Sequence, residues 1–316
     1  MWTFNEIRKD IILEPSYYSL KGFNKSVGIN YYNSTGHNKK EIYFRKEYPI
    51  EIDDGKEILV SDIVDKDDNI ILKHKIENGI IYSYEDPRYI NDVEFSLSIA
   101  MYDVIADCYS DVYMGKYNIN TKELKTYKTH NQPYEKNWQF LNNGNIIYSL
   151  EPFIILDKYE EVICNKICSY KAWKDLYGPL RLSTNPFEVN GKKYIFFHTP
   201  YFENRGLVSY YNGLMMLNDD YTPYGYFVNP FLSRNILKPN IDIFATDDCG
   251  IRCLYEWRKQ YNKFAVQVAT LFFMTVEVID DEIYIYGGEN DYQGLVMKFP
   301  VDYFEEQLKN KFFVFV

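Results

Sequence analysis

The chain carries a scattered set of side chains able to do chemistry. Asp86 lies in Glu85-Asp86-Pro87-Arg88, and Lys136 and Asn137 lie in Glu135-Lys136-Asn137-Trp138. Arg181 and Asn185 lie in Leu180-Arg181-Leu182-Ser183-Thr184-Asn185-Pro186, His198 closes Lys193-Tyr194-Ile195-Phe196-Phe197-His198, and Asp291 follows Tyr286-Gly287-Gly288-Glu289-Asn290. Each motif follows or interrupts a strand-like run and sets a carboxylate or a cation beside a residue that fixes the backbone. One acid with several cations suits transfer of a group to or from an anion. The acid protonates a leaving oxygen, and the planar fork of Arg matches phosphate oxygens. Each motif also has a plainer reading: Asp-Pro-Arg as a turn with a surface ion pair, the His as a structural group, Gly-Gly as a bulge.

The elements that must position these groups read mainly as strands. Tyr and Phe, 32 and 21 of them, lift the aromatic share to 18%, which favours strands over helices. Strand-like runs include Glu41–Tyr48, Glu57–Ile63, Ile80–Tyr84, Val93–Tyr102, Lys192–His198, Leu207–Leu217, Ile251–Trp257 and Lys263–Val278. Asn78-Gly79, Asn143-Gly144 and Asn190-Gly191 are hairpin signals, since Asn-Gly readily takes positive φ. Helical periodicity is confined to Tyr170–Leu176 and Val301–Lys311. Pro87 biases Asp86 away from the helical region, so the strand is expected to end with Asp86 extended and Arg88 free to fork onto a neighbouring carboxylate. Gly287 and Gly288 are expected to admit a ligand close to the backbone. Trp138 fits either a core anchor or a sugar-stacking surface.

Short strands about every ten residues leave a sandwich, barrel or propeller. The polar motifs recur at roughly fifty-residue intervals, compatible with four-stranded blades, and about five blades would use the chain. A propeller also accounts for the scatter, because inner strands from every blade converge on one funnel. The expectation is therefore an all-β five-bladed β-propeller with a short C-terminal helix, one domain over residues 1–316.

A net charge of −10 leaves no whole-chain footprint for nucleic acid or an anionic membrane. The longest apolar stretch, Val268 to Val276, is too short to span a bilayer. The opening Met1-Trp2-Thr3-Phe4-Asn5-Glu6 has no signal-peptide pattern, giving the expectation of a cytoplasmic protein. The five cysteines, Cys108, Cys164, Cys168, Cys249 and Cys253, read as reduced thiols, and the two Cys-x3-Cys pairs lack the partners zinc would need. Neither metal nor cofactor is expected. A homo-oligomer is compatible with the sequence.

The motif set, in this order and at these spacings, resembles the five-bladed β-propeller family of β-mannoside phosphorylases, on whose scaffold related hydrolases are also built. The resemblance spans roughly residues 23–300. Tyr43-Phe44-Arg45 is similar to the family's early strand with a substrate-binding arginine, Glu85-Asp86-Pro87-Arg88 to its acid motif, and Gly178 to Pro186 with His198 to its phosphate-binding region. Two departures stand out: Asn290 occupies the position of the family's late aspartate, with Asp291 one residue on, and Phe23-Asn24-Lys25-Ser26 lacks the usual Pro. The resemblance implies that Asp86 protonates the glycosidic oxygen while phosphate, held by Lys136, Arg181 and His198, attacks the anomeric carbon. It implies substrate contacts from Arg45, Glu85, Arg88, Asn137, Asn185 and Asp291. The substrates would be an oligosaccharide or glycoside, and phosphate or a sugar 1-phosphate. A hydrolase on the same scaffold, or a non-catalytic carbohydrate-binding propeller, are the alternatives.

Overall fold

A computed structural model describes residues 12–13, 31–37, 42–52, 55–65, 67–127, 136–202, 207–233, 266–269, 271–289 and 293–316. Its strands fall into five sheets arranged as a five-bladed β-propeller, with two helices among the described residues. From the inner strand outward, the first blade is Tyr31–His37, Ile42–Glu51, Glu57–Asp65 and Ile70–Leu72. The second is Ile80–Asn91, Glu94–Asp103, Cys108–Asn118 and Glu123–Tyr127, with Lys75–Glu77 paired to the start of its inner strand. The third is Gln139–Phe140, Ile146–Leu150, Phe153–Leu156 and Val162–Lys166. In the fourth, Arg181–Leu182 and Phe187–Val189 lie inside Lys192–Phe202, Leu207–Leu217 and Pro223–Phe227. The fifth runs Leu271–Ile279, Glu282–Glu289, Gln293–Pro300.

Closure of the ring draws on both ends of the chain. Ile12–Leu13 adds antiparallel to Gln293–Pro300 as the outer strand of the fifth blade. Phe313–Phe315 adds to Pro223–Phe227 as the outer strand of the fourth. The helix Val301–Lys309 carries the chain between those two blades, burying Val301 and Phe304 on the way. Asp302 in its first turn and Lys309 in its last suit the helix dipole.

Blades bury both faces, and the sequence shows how. Along Lys192–Phe202, Tyr194 and Phe196 join a core with Phe273, Ile283 and Phe299 of the fifth blade. The alternating Ile195 and Phe197 join a core with Ile147, Phe153 and Ile155 of the third. Period-two side chains thus feed two cores at once, which is why the four residues Tyr194–Phe197 are all hydrophobic. Equivalent cores join the first and second blades through Tyr43, Ile63 and Phe95, and the second and third through Ile90, Trp138 and Phe140. Phe44, Val64 and Tyr286 join the first to the fifth, so every interface in the ring is packed.

Turn chemistry follows expectation in two hairpins. Asn78 and Gly79 take φ of 52° and 76°, and Asn190 and Gly191 take 49° and 72°. In Asn143-Gly144 only the glycine has positive φ. Three expectations need correction. The strand beginning at Ile80 does not stop at Tyr84 but continues to Asn91. Asp86 is not extended: its φ is +55°, in the left-handed region. The run Lys263–Val278 is split, with Val266–Ala269 pairing parallel to the fourth blade and Leu271–Ile279 forming the fifth blade's inner strand. The strand expected at Ile251–Trp257 lies outside the described residues.

Candidate active site

The axis of the propeller is lined by polar bonds from each blade to the next. Arg45 of the first blade donates to Asp86 of the second, Nη1 to Oδ1, at 3.2 Å. Arg88 Nη2 donates to Asn137 Oδ1, ahead of the third blade, at 2.7 Å. Gln139 Nε2 donates to the Ser183 carbonyl of the fourth blade at 3.0 Å. Asn185 brackets Val276 of the fifth, donating to its carbonyl at 3.0 Å and accepting from its amide at 2.9 Å. Across the axis, the Tyr89 amide donates to Thr275 Oγ1 at 3.0 Å. Buried polar groups need such partners, and here the partners belong to neighbouring blades, so the funnel holds the ring together as the cores do.

Asp86 sits at a β-bulge. The pairing register steps from Glu85↔Ser98 to Arg88↔Ser96, so the inner strand carries one extra residue there. A bulge re-aims a side chain, and a left-handed aspartate before a proline is a strained backbone that the surrounding sheet must hold. The Asp86 carboxyl is almost wholly buried. Burial pushes its pKa up, but the charges of Arg45, Lys136 and Arg88 together outweigh this and hold it below the usual carboxylate range.

Arg45 reaches Asp86 from the neighbouring blade, with Glu47 behind it on the same strand. Tyr43, Arg45 and Glu47 alternate on the face of Ile42–Glu51 that packs on the second blade, where Tyr43 enters the shared core. Arg45 Nη1 touches both Asp86 Oδ1 at 3.2 Å and Glu85 Oε2 at 3.4 Å, while Nη2 holds Glu47 Oε2 at 3.1 Å. The carboxylate-forking arginine is therefore Arg45, not Arg88 as the Asp-Pro-Arg motif led us to expect. Arg88 is fully buried and aims at Asn137 and the Trp138 carbonyl, with its guanidinium 5.6 Å from the centre of the Phe272 ring.

His198 lies opposite Arg181 in the strand register, with its imidazole buried. Its Nδ1 is 2.8 Å from Ser183 Oγ, and its ring packs on Tyr210 and edge-on to Phe272, at 4.9 and 5.0 Å between centres. Burial, then the charges of Arg181, Arg88 and Lys136, hold its pKa well below 6.5, so the ring is neutral at pH 7. Lys136 and Arg181 are solvent-exposed. Lys136 and Arg88 act electrostatically on both Asp86 and His198, which places acid and imidazole in one field.

The structure thus gathers Asp86, Glu85, Arg45, Arg88, Asn137, Lys136, His198 and Arg181. Asn185 belongs to the same ring of bonds, with its amide committed to Val276. Asp291 lies outside the described residues. Trp138 is a core anchor, 1% exposed. Gly287 serves the fold rather than a ligand: a Cβ there would lie 2.0 Å from the Phe272 carbonyl oxygen of the adjacent strand. Among the described residues, no cluster of three or more His, Cys, Asp or Glu could hold a metal ion. Sequence reasoning missed Glu47, Ser183, Tyr210, Phe272 and Thr275. Ser183 lay inside a motif already singled out, and Glu47 had a signal in its position two residues from Arg45, on the same face of a strand.

No protein-family model and no curated protein sequence matches the chain. Solved structures do. The β-1,2-mannobiose phosphorylase from Listeria innocua, in complex with β-1,2-mannobiose, matches 95% of this chain and 99% of its own, with a TM-score of 0.57 at 13% identity. A mannose phosphorylase from Leishmania mexicana, in complex with phosphate, matches 90% of this chain and 87% of its own, with a TM-score of 0.54 at 12% identity. A GDP-Man-dependent mannosyltransferase from the same organism matches 88% of this chain and 87% of its own, with a TM-score of 0.51 at 14% identity. At these identities what is shared is the propeller fold.

Proposed function

We propose that the protein is a carbohydrate-active enzyme that moves a glycosyl group, mannosyl by analogy with its structural neighbours, between a sugar acceptor and phosphate. One observation carries this reading: Arg88, two residues from the buried acid Asp86, and the buried His198 pack on the same Phe272 ring, at 5.6 and 5.0 Å, so the acid and the anion-holding side chains line one space. Phosphate is already a nucleophile, so phosphorolysis needs one acid and a cation cluster. Inverting hydrolysis needs a second carboxylate about 6.5–9.5 Å away to activate water. The carboxylates described beside Asp86, Glu85 and Glu47, share Arg45 with it rather than face it across a gap.

Phosphate held by Arg181, Lys136 and His198 attacks the anomeric carbon as Asp86 delivers its proton to the departing glycosidic oxygen. Neutral His198 serves as a hydrogen-bond donor through one nitrogen while Ser183 fixes the other. The site's cations keep Asp86 ionised until the anion arrives. A bound phosphate offsets Lys136 and Arg88, and the carboxyl then takes up the proton it must donate. In the synthetic direction the same groups build a glycoside from a sugar 1-phosphate, and Asp86 recovers the proton from the acceptor hydroxyl.

The test uses mannose 1-phosphate with a panel of sugar acceptors and reads phosphate release. The wild type should release phosphate only with acceptor. Asp86→Asn and Arg181→Ala should each lose about 100-fold or more. Cleavage of β-mannosides in phosphate-free buffer would replace this reading with hydrolysis. Silence in both assays would leave a carbohydrate-binding propeller.

A further inference from the structure

The buried carboxylates around Arg45 outnumber what a single acid requires. Glu47 is 1% exposed and sits on the first blade, whereas Asp86 and Glu85 sit on the second. All three carboxylates converge on one guanidinium, Glu47 on Nη2 and the other two on Nη1. We propose that Glu47 is a positioning residue: by locking one side of the Arg45 fork it aims the other at Asp86 and Glu85, and through that clamp it governs acid catalysis by Asp86. This rests on the reading of Asp86 as the acid.

The physical reason is geometric first. A guanidinium is planar, so fixing Nη2 against Glu47 constrains the direction of Nη1 toward Asp86 and Glu85. The second reason is electrostatic. Among the described residues, charges around Asp86 include Glu85 and Arg88 from its own strand, Arg45 with Glu47 from the first blade, and Lys136 from the segment entering the third. Glu47 sits on Nη2 of the Arg45 fork and Asp86 on Nη1, so its charge tempers the guanidinium that holds the acid. Neutralising Glu47 leaves Arg45 wholly to Asp86 and Glu85, which makes a proton harder to place on the acid.

The experiment labels aspartate carboxyls with carbon-13 and follows the Asp86 resonance by NMR, assigned by its loss in Asp86→Asn. In Glu47→Gln the Asp86 titration should move to lower pH by about one unit, the scale of one charge acting through a site of effective dielectric about 20. Glu47→Asp keeps the charge but shortens the reach. There the titration should stay within a few tenths of a unit while turnover falls about tenfold or more, with KM for mannose 1-phosphate unchanged. If Glu47→Gln does not fold, Glu47→Asp decides: turnover within twofold of wild type overturns the inference. An unmoved titration in a folded Glu47→Gln also overturns it. A moved titration in Glu47→Gln, together with a wild type that lacks acceptor-dependent phosphate release, keeps the clamp and sinks the proposed function.

Discussion

Replacing Arg88 by Met separates what its guanidinium does for the fold from what it does for the site. Arg88 is completely buried, and burial pushes its pKa from the usual guanidinium range down to about 10, with Asp86 pulling the other way. At about 1.4 kcal/mol per pH unit, this corresponds to about 3 kcal/mol against the charged form. A cation whose folded pKa lies below its unfolded value destabilises the fold at every pH below the folded value, so the whole cost is present at pH 7. Set against it are the charge-assisted bond to Asn137, worth about 1.5–3 kcal/mol, and the contact with the Phe272 face, worth about 0.5–2 kcal/mol. The two sides nearly cancel, and Met occupies much of the volume. Arg88→Met should therefore change the free energy of urea unfolding by less than about 2 kcal/mol, while acceptor-dependent phosphate release falls about 100-fold or more. A loss above about 4 kcal/mol would show that the residue is kept for the fold. Turnover within tenfold of wild type would remove it from the site.

Two further outcomes follow from the packing and the buried titratable groups. Gly287→Ala should cost about 3 kcal/mol in urea unfolding, because its Cβ meets the rigid Phe272 carbonyl and displaces the fifth blade's inner strand, straining the bond that Thr275 of that strand accepts from Tyr89. A cost under about 0.5 kcal/mol would contradict that close approach. Stability should also fall as pH drops below 6.5, since His198 is held neutral when folded but takes a proton when unfolded, and His198→Gln should remove up to about 1.4 kcal/mol per pH unit of that slope. An unchanged slope between pH 6.5 and 5 would mean the imidazole is not buried neutral.

The strand-rich ring and its two helices were legible because they rest on local rules. Alternation along Lys192–Phe202, positive-φ Asn-Gly turns and the short periodic run after Pro300 each declare themselves within a dozen residues. Asp86, Arg181 and His198 were legible because their motifs are short and their chemistry is distinctive. Less was legible where one residue's role depends on another blade. Arg45 takes the carboxylate pairing expected of Arg88, because ion pairing is set by which blade lies alongside, not by the residue two positions away. Asp86 was expected extended because the Asp-Pro rule is local, whereas the bulge that turns it arises from pairing with Ser96 and Ser98.

By itself the sequence determined which segments become strands, where they turn, and which side chains could carry an acid and an anion. Those are properties of nearest neighbours along the chain. Only the tertiary structure decided that Arg45, held by Glu47, meets Asp86 across a blade boundary, that Asn185 and Gln139 staple blades together, and that His198 is held neutral. Each depends on desolvation and on charges dozens of residues away, and neither exists until the ring has closed.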